Sequence, residues 1–271
     1  LSYSGRVLTR ARVRSLLTLF GVIVGMLLFG FVRSMDAGMQ ELQTKVEQPD
    51  TLIVFERNTI CPFQARIPQR YEREIESIEG VEKVLPIRLY MNSCRANLDL
   101  TTLYGVPAEE IDTFFPSLGV DPATLASFKQ RADGALVGRR VGERRGLGPG
   151  EEVEVGPVTA NIVGEFSPSG ADSFLDNVVF LHLDHLLTSM RGGEQNLGQV
   201  TQHLVKLEPG ADAEKIAEQI DARFARDEAP THTQPLAAFV GKALGEIEHV
   251  VGFAQLLSYL AVGVMSLVLM N

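Results

Sequence analysis

The sequence predicts an α+β domain carried between two transmembrane helices. Three observations predict it: an uncharged apolar run near each end, a polar middle in which β-like and helix-like segments alternate, and arginines ahead of the first run. The whole chain of 271 residues is 45% hydrophobic with a formal charge of −9. Arg6, Arg10, Arg12 and Arg14 stand in a start that has no acid, so the remainder is more acidic still. A nucleic-acid binder would need its basic patch on the folded part, so that class is not expected. A membrane explains the basic tip better.

The first run, Leu16–Val32, holds seventeen uncharged residues. At about 1.5 Å per residue it reaches about 25 Å, and Ser15 with the snorkelling Arg14 and Arg33 extends it toward a core of about 30 Å. A cleaved signal peptide would have a shorter apolar region and a small-residue cleavage site, whereas Arg33-Ser34-Met35-Asp36 comes next here. Gly21 and Gly25 form a GxxxG pair suited to close helix packing. The second run, Val250–Met270, is also uncharged. The arginines place the N-terminus in the cytoplasm, two crossings return the C-terminus there, and the middle lies outside. The chain stops at Asn271 just as the second helix completes, which reads as a fragment.

Next to the membrane, Met35, Met39, Leu42 and Val46 make one apolar stripe. Leu236, Phe239, Val240, Ala243, Leu244 and Ile247 make another, after Pro235. Both read as outward continuations of the spans that pair as a stalk. The organisation expected is a basic segment and first span over 1–33, a stalk helix over 34–49, an outer domain over 50–234, a second stalk helix over 235–249 and a second span over 250–271.

Within the outer domain, Asp50–Glu56 reads as a strand, Pro68–Ile78 as a helix stopped by Gly80, and Val84–Met91 and Thr101–Val106 as strands. This β-α-β-β order opens a ferredoxin-like unit. A similar unit closes the domain, with Thr201–Leu207 as strand and Ala213–Phe224 as helix before the chain runs on toward Thr231–Thr233. Between them Ala135–Arg145 reads as a short helix, and Glu152–Val155, Val158–Glu165 and Asn177–Leu181 as strands. The expected fold is a ferredoxin-like α/β base built from both chain ends, carrying an inserted β-rich lobe.

No GxxxxGK[ST] occurs, and Val240-Gly241-Lys242-Ala243 lacks the hydroxyl residue, so ATP is expected on a separate subunit. There is no GxSxG elbow, and Ser167-Pro168-Ser169-Gly170 reads as a loop. His182, Asp184 and His185 face different ways at a strand-to-helix junction and are not expected to hold a metal. His203 is expected half-exposed on a strand. Neither a cofactor nor an enzymatic role is expected of this chain. Cys61 and Cys94 could bridge in an oxidising compartment, closing a loop of about 32 residues worth about 3 kcal/mol in the chain-entropy model, or remain two thiols.

The order of these parts resembles the MacB/FtsX-type ABC transporter permeases. The resemblance is carried by Ser15–Gly25, by Gly134–Arg144 followed by Gly146-Leu147 and Gly150-Glu151, by Asp176–Leu181, and by Ser258–Asn271. It implies a MacB-like periplasmic core domain in a multi-pass permease subunit of the bacterial inner membrane. It also implies a cytoplasmic ABC ATPase partner, a second permease copy, a periplasmic adaptor and contact with membrane lipid. ATP hydrolysis on the partner would move the stalk and outer domain, for export or extraction of a substrate. The coupling residues would lie beyond Asn271. A two-span sensor with an extracytoplasmic ligand-binding domain is the alternative. The sequence after Asn271 separates the two, since a sensor continues into a signalling region and a permease into further spans.

Overall fold

A computed structural model describes residues 50–59, 65–91 and 101–239, together with scattered helical positions between 20 and 38. The chain divides into two compact units, Leu1–Thr44 with Val240–Asn271, and Lys45–Phe239. Gly21, Gly25, Cys61, Cys94 and the second apolar run lie outside the described residues.

In the first unit the described positions are helical, and Phe20, Met26, Leu27 and Phe31 are each more than 60% exposed. Among the described residues no helix is long and apolar enough to cross a membrane.

The second unit is built on a nine-stranded sheet. Its base uses β1 (Thr51–Glu56), β3 (Val81–Met91), β10 (Gln202–Leu207) and β11 (Thr231–Pro235). These lie in the order β11-β1-β10-β3, and every neighbouring pair is antiparallel. Helix α1 (Tyr71–Glu76) precedes β3, and α6 (Ala213–Arg223) joins β10 to β11. That is the β-α-β-β-α-β arrangement. Leu52, Val54, Val205 and Leu207 on the sheet bury against Tyr71, Ile75, Ile216, Ile220 and Phe224 beneath the helices. The Tyr71 and Phe224 rings stack with centroids 3.9 Å apart. Helix α6 starts where the Asp212 side chain accepts from the Lys215 N–H, a cap worth about 1 kcal/mol. The short ribbon β2 (Ile67–Pro68) with β9 (Gln199–Val200) adjoins this core through Ile67 and Val200.

The lobe enters between β3 and β10. It contains β4 (Thr102–Val106), α2 (Ile111–Phe114), α3 (Pro122–Gln130), β5 (Gly134–Gly138) and α4 (Arg139–Arg145). β6 (Glu152–Val155), β7 (Val158–Phe166), β8 (Val178–His182) and α5 (Leu183–Ser189) complete it. β4 runs parallel to β8 and β5 parallel to β7, while β5–β8 and β6–β7 are antiparallel. The lobe is therefore a mixed sheet with four helices, more α-rich than the sequence suggests. Thr101–Val106, grouped by local order with the base, pairs instead with β8 and the end of β3. The base takes its third strand from β10. The stretch from Ala135, read as helix, is strand until Gly138 and helix only from Arg139. Ala135, Leu136 and Val137 are wholly buried between β7 and β8, and a strand covered on both faces shows no alternation to betray it.

β3 belongs to both halves. Residues 81–87 pair with β10 and residues 88–91 with β4. Where the ladder changes partner, the buried Thr201 closes the gap: its N–H donates to the Ile87 carbonyl at 2.9 Å, and its Oγ1 accepts from the Leu89 N–H at 3.0 Å. Helix α5 is the second link. Leu183 and Leu187 enter the base core, and Leu186 enters the lobe core with Val137, Val179 and Leu181.

Backbone approach is tight at Gly138, where a Cβ would stand 2.5 Å from the Asp176 carbonyl oxygen and 3.0 Å from that of Val178. Neither is a side chain that can swing aside. Gly138→Ala is expected to cost about 2 kcal/mol by forcing α4 away from β8. A chemical denaturation midpoint equal to wild type would refute this.

Candidate coupling site

The flanking chain enters the domain at β1 and leaves it at β11. β1 and β11 are neighbours, with Leu52 opposite Pro235 and Glu56 opposite Thr231. The entry of one strand and the exit of the other thus lie side by side at one end of the sheet.

Asp221, on α6, ties the exit strand to the helix layer. Its Oδ1 accepts from Thr231 Oγ1 at 2.9 Å and from Thr233 Oγ1 at 2.8 Å. Its Oδ2 accepts from the Thr233 N–H at 3.1 Å, and His232 Nδ1 lies 3.8 Å away. The Asp221 side chain is 20% exposed, so these bonds form with little competition from water. On β1, Phe55 meets the His232 ring edge-on at 5.2 Å and the Phe239 ring at 5.6 Å. The Arg57 N–H donates to the Pro230 carbonyl at 2.7 Å, and Arg57 Nε donates to that of Thr231 at 3.2 Å. The exit strand is held from both sides.

Across the helix layer, Arg223 of α6 donates through Nε and Nη2 to Glu74 of α1. These groups are largely exposed and position the helices more than they stabilise them. Beneath lies His203, fully buried on β10 with neither ring nitrogen in hydrogen-bond geometry. Burial pushes its pKa down to about 4, against a weak opposing pull from the Gln69 backbone. The expectation of a half-exposed histidine is thus overturned: His203 stands between Val54 and Pro86 on the face it shares with Val205 and Leu207, which the helices cover.

His182 Nε2 lies 2.6 Å from the Phe128 carbonyl oxygen. His185 Nε2 lies 2.8 Å from that of Thr159. The two imidazoles therefore tie β8 and α5 to different parts of the lobe. Sequence reasoning misses the Asp221 clamp, although the threonines of Thr231-His232-Thr233, one residue apart on a strand edge, are its visible half.

Residues 15–223 match the family model of the MacB-like periplasmic core domain. The chain belongs to that family. The MacB-like periplasmic core domain is a part of ABC transporter permease-type proteins. Among solved structures, the periplasmic region of MacB from Actinobacillus actinomycetemcomitans aligns with a TM-score of 0.51 at 10% identity, covering 74% of this chain and 94% of that one. At such identity the likeness shows the fold alone. The extracellular domain of the noncanonic ABC-type transporter YknZ from Gram-positive bacteria aligns with a TM-score of 0.47 at 13% identity, covering 68% and 99%. No curated protein matches the chain. Within this MacB-like domain, the paired entry and exit strands and the Asp221 clamp form the candidate coupling site.

Proposed function

We propose that this chain is part of the permease subunit of an ABC transporter in the bacterial inner membrane, and that its MacB-like domain moves when a partner subunit hydrolyses ATP. The observation that carries the reading is the side-by-side entry and exit of the chain on β1 and β11, clamped to α6 by Asp221. Such a base takes up displacement from two flanking helices at one place and hands it to the lobe through β3 and α5. The exposed Phe20, Ile23, Met26, Leu27 and Phe31 support a lipid-facing first helix, since a solvated helix rarely presents five large apolar side chains. In this reading residues 1–33 and 250–271 hold the two spans and residues 34–49 and 235–249 the stalk. A second permease copy and a periplasmic adaptor complete the assembly, and the work done is export or extraction of a substrate.

The test is to solubilise the full-length protein from membranes and ask whether a nucleotide-binding subunit accompanies it. The expected result is a stable ATPase partner whose turnover changes when the permease is reconstituted with it. A kinase or other signalling partner in its place would establish the sensor architecture instead.

A further inference from the structure

We infer that the open edge of β6 is a docking strand for an extended segment of a partner protein that carries basic side chains at alternate positions. The nine-stranded sheet ends in β11 on one side and in β6 on the other. The chain seals the first of these edges with its own groups. The Thr233 N–H, which points away from β1, donates to Asp221. The Thr231 carbonyl accepts from Arg57 Nε, and Pro235 has no N–H to offer.

The edge at β6 is treated differently. Gly150 and Glu151 share Ile162 as their partner: the Gly150 N–H donates to the Ile162 carbonyl, and the Ile162 N–H to that of Glu151. From there the ladder with β7 sets Glu152 opposite Asn161, Val153 opposite Ala160, Glu154 opposite Thr159 and Val155 opposite Val158. Main-chain bonds alternate along an antiparallel pair. With Glu151 bonded to Ile162, the main chain of Val153 and Val155 turns toward β7 and that of Glu152 and Glu154 turns outward. The Glu154 carbonyl shows this direction, since it accepts from Arg145 Nη2 at 3.4 Å. The Glu152 N–H, the Glu152 carbonyl and the Glu154 N–H meet no hydrogen-bond partner among the described residues. These groups stand in register for an incoming strand.

Side chains decide what that strand must carry. Val153 and Val155 are buried in the lobe core with Val141 of α4. Glu152 and Glu154 project from the opposite face and are exposed. A strand laid along β6 places one side chain about 5 Å from each carboxylate. Lysine or arginine there forms an ion pair with each glutamate, whereas a second β6 lying antiparallel would set glutamate against glutamate. The charges that bar self-pairing therefore select a basic partner. The chain's formal charge of −9 draws such a partner in from a distance as well. This goes beyond the function proposed above, because it concerns the lobe alone and needs no ATPase.

The experiment is amide hydrogen exchange on the full chain in a neutral detergent at low salt, with a blocked six-residue peptide alternating lysine and valine. Saturating peptide is expected to slow exchange at Glu152 and Glu154 by about ten-fold and to leave β11 unchanged. The same peptide N-methylated on its lysine amides lacks the N–H groups that meet β6, and is expected to have no effect. A peptide with glutamate in place of lysine is expected to bind about ten-fold more weakly. Glu152→Lys combined with Glu154→Lys is expected to reverse that preference without moving the thermal midpoint, because both side chains are exposed. Absence of protection by the lysine peptide overturns the inference, as does equal protection by the lysine and glutamate peptides. Protection that survives N-methylation overturns it by showing contact through charge alone, and so does a preference that the double variant leaves unchanged. Protection that rises with protein concentration in the absence of peptide assigns the edge to a second copy, against a basic partner.

Discussion

Replacing Asp221 by alanine is expected to lower the stability of the domain by about 3–4 kcal/mol and to release β11 from α6. Three donors lose their acceptor at once: the hydroxyls of Thr231 and Thr233 and the Thr233 N–H. Thr231 is fully buried and Thr233 is 6% exposed, so water does not readily replace what is removed. Donors left unmet in that setting cost more than the same bonds would on the surface. Asp221→Asn is expected to be intermediate in effect, because the Oδ1 acceptor survives while the new amide faces the Thr233 N–H as a second donor. The check is a denaturant titration read with amide hydrogen exchange over residues 231–235. Exchange there should rise well beyond that of β10, because local opening of the exit strand is what the clamp opposes. Were the ATPase partner present, its response to the domain should fall in step. Unchanged protection of Thr233 in Asp221→Ala would show that the carboxylate does not hold the exit strand.

Acidification is expected to destabilise the domain through His203 by about 3 kcal/mol in total. The folded-state value near 4 lies below the ordinary value of about 6.5 for a histidine in an unfolded chain. Between those limits the unfolded state binds more protons, so stability rises with pH through the window. The contribution is fully present above about pH 6.5, is lost progressively as pH falls toward 4, and then levels off. Carboxylates titrate chiefly below about pH 5, which leaves pH 6.5 to 5 as the range where the histidine is seen alone. The measurement is the difference in unfolding free energy between wild type and His203→Leu at several pH values. Wild type should lose about 2 kcal/mol relative to His203→Leu between pH 6.5 and 5. Two parallel profiles would show that the imidazole is solvated in the folded protein, against its complete burial.

What could be read in the sequence tracks the range of the interaction. The cap and stripe of α6, Asp212 with Ile216, Ile220 and Phe224, recur at steps of four residues and are legible. So is the β6–β7 hairpin, whose valines alternate with polar residues around Gly156. That the base is built from both chain ends is also legible, because both ends carry a helix next to a strand. The identity of the third strand is not, since Val84–Met91 is followed at once by Thr101–Val106, and only the tertiary fold brings Gln202–Leu207 between β1 and β3. His203 is misplaced because TQHLVKL does not reveal that the face it shares with Val205 and Leu207 is covered by the helices. Arg88 illustrates a different gap. Its letter tells of a charge, while its burial depends on the tertiary fold.

The shared strand β3 also decides the order in which the chain can assemble. Its first half waits for β10, which the ribosome delivers only after residues 92–201, whereas its second half needs β4, available about ten residues later. The lobe can therefore fold while the base is still half-made, and in doing so it draws Ile87 and Gln202 together. That removes most of the loop-closure entropy that would otherwise delay the last step. The insertion is thus a template for its host: a lobe slowed in folding should leave β1 and α1 waiting unpaired, exposed to the wrong neighbours during synthesis.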